Sequence, residues 1–163
     1  PYGAPRDPYG APGDPYGRPH DSYGSEGWER RGHPGDPVLG QSRDMSPGEE
    51  KTWAVLAHVA APIATLLSAG WLGFVAPLLI WVFFRGRSEF VRVAAARSFN
   101  FNLLLFLANA AAWLLFFSII GIPFAIAIWI GAFIGMLVFH ISAAMDAGRG
   151  ILYRYPISVP ILR

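Results

Sequence analysis

The sequence predicts an all-α integral membrane protein in which four helical segments form two hairpins behind a disordered tail. Three observations lead there. The stretches from Thr52 to Phe84 and from Phe99 to Met145 carry no charged residue. Arg residues flank both stretches at both ends. The first fifty residues hold few aliphatic side chains, so the mean hydropathy of +0.37 averages two unlike halves.

The tail opens on a seven-residue repeat, PYGAPRD, PYGAPGD, PYGRPHD and then the degenerate SYGSEGW. It is not a coiled-coil heptad, because it lacks aliphatic a and d positions and places Pro or Gly in every unit, which blocks helix propagation. Little apolar area is available to offset the entropy of ordering, and residues 1–46 are predicted to be a disordered cytoplasmic tail. Evenly spaced Tyr2, Tyr9, Tyr16 and Tyr23 read either as contacts of a binding tether or as parts of a solvated tail.

The membrane domain is placed at 47–163. A single helix over 52–84 would be about 50 Å long, against a hydrocarbon core of about 30 Å, so the run must fold back. Gly70 and Gly73 mark the bend, which divides the run into segments of about 53–67 and 72–84. These halves are short enough to be either a thin spanning hairpin or a re-entrant pair. The second run holds Gly121 and Pro123 near its middle and divides into about 99–119 and 123–145. Lys51 and Arg43 precede the first run, Arg85, Arg87, Arg92 and Arg97 lie between the runs, and Arg149, Arg154 and Arg163 follow the second. By the positive-inside rule this distribution puts both termini in the cytoplasm, with the plasma membrane as the expected location. The first apolar segment has no small-residue cleavage pattern and reads as a retained membrane segment. The linker 88–98 reads as an interfacial helix under anionic headgroups or as an extension of the third segment. Arg85, Arg87, Arg92 and Arg97 are the candidate headgroup contacts.

Small residues four apart let helices approach closely in lipid. Ala57, Ala61, Thr65 and Ala69 form one such row, and Ala127, Gly131 and Gly135 another, the two glycines making a GxxxG. Either row can serve packing within the bundle or association between copies. Asn102 and Asn109 lie two helical turns apart, so both amides can meet one partner helix, whereas Asn100 lies on a different face. His58 and His140 are the titratable side chains well inside the apolar runs, each one or two turns from a cytoplasmic end. They read as proton-coupled groups or as partners of neighbouring carbonyls and headgroups.

Chemistry is constrained by what the runs lack. Neither holds Asp or Glu, which leaves no carboxylate relay, and two His without an inward carboxylate fall short of a metal site. Cys is absent, and there is no Walker loop, dinucleotide fingerprint, HExxH or nucleophile elbow. No enzyme activity, cofactor or metal is therefore expected. The formal charge of +2 gives no field for nucleic acid, so membrane lipids, further copies of the chain or other membrane proteins are the expected partners. The predicted role is a non-enzymatic scaffold or accessory subunit of the membrane; an oligomeric transport or translocation-like channel unit is the alternative.

The order of features also resembles a known family. Trp53 with Leu56, Ala57 and His58; Pro77 to Trp81; Ser88 to Val91; Asn100 to Asn102; and Ala143, Ala144, Gly150 and Tyr153 to Pro156 together resemble a family of small bacterial membrane proteins classed as a domain of unknown function. That family is itself similar to the twenty-kilodalton subunit of the chloroplast inner-envelope protein translocon. The chain departs from the family where acidic residues and a His are usual, holding Arg92, Val93 and Ala94, and it has Asn102 where a Gln is usual. The resemblance implies a multi-helix membrane bundle without catalytic residues.

Overall fold

The computed structural model describes residues 35–42 and 44–162; the Tyr-containing repeats lie outside the described residues. Four helices follow one another: α1, Pro47–Leu67; α2, Val75–Phe84; α3, Glu89–Phe116; and α4, Ile122–Gly148. A 3-10 turn, Ile119–Gly121, joins the last two.

α1 begins where the sequence can cap it. Ser46 accepts from the Glu49 amide while the Glu49 carboxylate returns to the Ser46 amide, and Pro47 sits at the first helical position. This start lies six residues before the apolar run at Trp53. The helix ends in a Schellman-type turn: the Gly70 amide reaches the Thr65 carbonyl at 2.7 Å, with Ala69 at φ 51° and Gly70 at φ 91°. Ala69 occupies a left-handed position that glycine usually takes. Residues 68–74 form the bend, and α2 follows as a helix of only 10 residues, about 15 Å long.

α3 differs most from the expected boundaries. It starts at Glu89, ten residues before Phe99, because Ser88 caps it by accepting from Val91 N and no Gly or Pro interrupts the chain before Gly121. The linker 88–98 is thus the first third of a 28-residue helix rather than a separate interfacial one. A Cβ on Gly121 would strike the Leu115 carbonyl, so the second hairpin turns where only glycine fits. Pro123 then opens α4.

α3 and the stretch from the 3-10 turn through α4 are long and apolar enough to cross a membrane. The surface agrees with a lipid solvent. Leu67, Phe83, Leu114, Phe117, Ile119 and Ile120 are exposed, whereas His58, His140, Asn102 and Asn109 are buried. Among the described residues the charged side chains gather at one end of the bundle, on the start of α1, the end of α2, the first third of α3, the end of α4 and the adjoining segments.

Two segments outside the helices pack against that end. Residues 35–42, within the stretch assigned above to the tail, lie across it: the Gly40 amide donates to Glu50, and Ser42 Oγ donates to the Arg87 carbonyl at 2.7 Å. After α4 the chain folds back beside α3. There the Asn100 amide oxygen accepts from the Ile161 and Leu162 amides, and its nitrogen donates to the Leu162 carbonyl.

Candidate functional site

The bundle holds one continuous polar cluster in its apolar interior, and it assembles from four parts of the chain. α1 contributes His58, α4 contributes His140, α3 contributes Asn102, and the returning C-terminal segment contributes Tyr155. Tyr155 Oη lies 3.0 Å from His58 Nδ1 and 3.1 Å from His140 Nδ1, and Asn102 Nδ2 lies 3.0 Å from His140 Nε2. The Tyr155 ring stacks on Phe101 with centroids 4.4 Å apart. All four polar residues are more than nine-tenths buried.

The direction of the hydrogen bonds follows from one backbone group. Asn102 Nδ2 also donates to the Ser98 carbonyl at 2.8 Å, which fixes the amide nitrogen, not the oxygen, toward His140. His140 Nε2 therefore accepts, and its Nδ1–H donates to Tyr155 Oη. The phenol hydrogen then goes to His58 Nδ1. With both imidazoles neutral, His58 keeps its proton on Nε2. The Ser98 hydroxyl donates to the Ala57 carbonyl at 2.7 Å, holding α1 and α3 together beside the cluster.

Asn102 and Asn109 do meet a single partner helix. Asn102 reaches His140, and Asn109 Oδ1 accepts from Trp129 Nε1 at 3.0 Å, both on α4. Each amide also packs on the first hairpin's bend: Asn109 lies against Gly70, and Asn102 Oδ1 lies near Gly73. Asn102 Oδ1 and Asn109 Nδ2 are left without partners.

The two small-residue rows have different fates. Ala57 and Ala61 are fully buried inside the bundle. Gly131 is exposed with nothing near its missing Cβ, and Gly135 would touch only Phe139 of its own helix. The GxxxG of α4 is therefore open to the outside.

The four Arg residues also separate. Arg97 is drawn inward, pairing with Asp36 and donating to the Leu152 and Tyr153 carbonyls at 3.0 and 3.3 Å. Arg154 joins the same carboxylate at 3.1 Å. Burial raises the pKa of Asp36, but hydrogen bonds and charge attraction from Arg97 and Arg154 outweigh it and hold the carboxyl below its ordinary value. Arg92 pairs with Glu89 at 3.1 Å. Arg85 and Arg87 remain exposed at the charged end, their guanidiniums 5.5 Å from the Trp81 ring and 5.4 Å from the Phe84 ring.

Sequence reasoning missed Tyr155 as a partner of the two His residues; it enters there only within the stretch from Tyr153 to Pro156 that carries the family resemblance. No periodicity marks the return of an irregular segment into a bundle. Its only signal is position, a Tyr between Arg154 and Pro156 shortly after α4. Among the described residues no group of three or more His, Cys, Asp or Glu is placed to hold a metal ion.

Residues 49–162 match a family model described as the magnetosome magnetite crystal formation protein family. The match carries no link to the chloroplast translocon subunit. No curated protein and no solved structure matches the chain.

Proposed function

The chain belongs to the magnetosome magnetite crystal formation protein family, and from that membership we propose that it is a non-enzymatic scaffold of the magnetosome membrane. In this reading the charged end and both termini face the cytoplasm, since the Arg residues collect there. The helices shape the membrane around a growing crystal by associating with one another.

One observation carries the proposal. The eight buried polar side chains among the described residues, Glu50, His58, Ser88, Ser98, Asn100, Asn102, Asn109 and His140, all bond within the chain. A conducting or catalytic unit needs polar groups turned toward a path or a substrate. Here each of these side chains spends at least one polar atom within the chain, most of them tying one segment to another, while the outward Gly131 and Gly135 of α4 offer the close approach that association in lipid requires.

The test separates association from folding. Gly131→Leu with Gly135→Leu is expected to keep native helicity and thermal unfolding, because both positions are open, yet to lower the assembled mass measured by light scattering in mild detergent. The same variant is expected to change magnetite crystal dimensions in cells. Unchanged crystals despite lost assembly would sink the scaffold reading. So would an ion flux in liposomes that Asn102→Leu or Asn109→Leu abolishes.

A further inference from the structure

Between α1 and α4 a groove of about 290 Å³ opens on the side of the bundle. Its walls are apolar: Val59, Pro62 and Ile63 from α1, and Leu137, Ile141 and Ala144 from α4. His58 and His140 are at its floor, and both nitrogens of His140 are engaged, by Asn102 and Tyr155. Pro62 has no amide hydrogen, so the helical bond that would end on the His58 carbonyl is missing, and α1 is loosened where the groove passes.

His58 differs from His140 in having one nitrogen unspent. His58 Nδ1 is engaged by Tyr155, whereas Nε2 bonds to no described group of the chain. That nitrogen belongs to a residue that lines the groove, although only 1% of its surface is exposed. By the direction of the hydrogen bonds from Asn102, this atom carries a proton and donates.

Depth decides what it donates to. The Ala57 carbonyl, beside His58, bonds to Ser98, and Ser98 follows Arg97, the last charged residue of α3. His58 thus lies just beneath the charged layer, at the level where a glycerolipid's ester carbonyls give way to acyl chains. The groove runs in the matching direction. Ala144 lies toward the charged end, His58 and Ile141 come next, and Pro62, Ile63 and Leu137 lie about a turn deeper.

We propose that this groove is a binding site for a membrane glycerolipid, which lays one acyl chain between α1 and α4 and accepts a hydrogen bond from His58 Nε2 on its ester carbonyl. The site requires residence in a bilayer and is independent of the scaffold role. It gives the buried cluster a second use: Asn102, through His140 and Tyr155, sets the tautomer that makes His58 a donor.

The experiment places the purified full chain in vesicles of phosphatidylethanolamine and phosphatidylglycerol. The vesicles carry a trace of phospholipid with a photoreactive diazirine midway along one acyl chain. Peptide mapping is expected to find label enriched at Ile63, Leu137 and Ile141 over Leu79 and Phe83, which are comparably exposed on the outer side of α2. Ala144→Trp fills the groove and is expected to abolish that enrichment while leaving label at Leu79 and Phe83. A dialkyl ether probe, which lacks the carbonyl, is expected to show about fivefold less enrichment in the wild-type chain, and His58→Phe is expected to remove the difference between the probes. The wild-type ester and ether comparison needs no substitution, so a poorly folded variant does not weaken the test. Label spread evenly over exposed apolar residues, equal enrichment by the two probes, or crosslinks joining two copies across the groove would each overturn the proposal.

Discussion

A single hydroxyl holds three parts of the chain together. Tyr155 Oη sits between two imidazole nitrogens, and its removal leaves an acceptor on His58 and a donor on His140 facing each other with nothing between them. Tyr155→Phe keeps the ring and its stack on Phe101, so packing is preserved and only the polar cost remains. Leaving a buried polar group unsatisfied costs about 1–3 kcal/mol, and in lipid the figure tends to the low end. Thermal unfolding in mild detergent is expected to show Tyr155→Phe destabilised by about 2 kcal/mol, with Tyr153→Phe close to wild type. Equal behaviour of the two variants would mean that the cluster does not lock the fold. His58 and His140 were visible in the sequence as polar residues at depth, and the seven-residue spacing put Asn102 and Asn109 on one side of α3, where their contacts on α4 are His140 and Trp129. Their meeting with Tyr155 was not visible. Helical periodicity orders residues along an element, but it carries no information about which irregular segment returns between elements.

At the scale of elements, the hairpin turns were legible because Gly70, Gly73, Gly121 and Pro123 each do something a larger residue cannot. The start of α3 was less so: charge changes at Arg97, but the backbone has no reason to break there. Arg97 keeps its place in the helix by pairing with Asp36, and that pair docks residues 35–42 on the charged end. The docking is electrostatic, and its pH dependence follows from the depressed pKa of Asp36. A carboxyl whose pKa is lower when folded contributes stability above its unfolded value, here 3.8, and the contribution fades as pH falls through the lower folded value. Hydrogen exchange is accordingly expected to show the amides of 35–42 protected at neutral pH and released in acid below pH 3.8. Asp36→Asn is expected to release them already at neutral pH while the helices stay protected. Protection unaffected by both acid and the substitution would assign the docking to Gly40 and Ser42 instead.

The whole molecule is asymmetric because its two hairpins differ in depth. α3 is 28 residues long, about 42 Å, whereas α2 has 10 residues, about 15 Å. The first bend packs at Asn109 through Gly70, seven residues short of the end of α3 at Phe116, which leaves it about 10 Å below the tip of the second hairpin. A cavity of about 490 Å³ follows from the mismatch, lined by Leu66, Gly70, Asn109, Trp113, Trp129 and Phe133. If the second hairpin crosses the bilayer, the first must stop within it, since neither bend carries a charge to draw it into water. The chain has no cysteine, which makes the comparison clean. Ser118→Cys, at the tip of the second hairpin, is expected to react with a membrane-impermeant maleimide added to the side opposite the Arg residues. Leu72→Cys, exposed in the first bend, is expected to react only after detergent opens the bilayer, because its exposure is to lipid and not to water. Equal reaction at both positions would make the first hairpin a full crossing, and the difference in helix length would then have to be absorbed by thinning of the membrane around it.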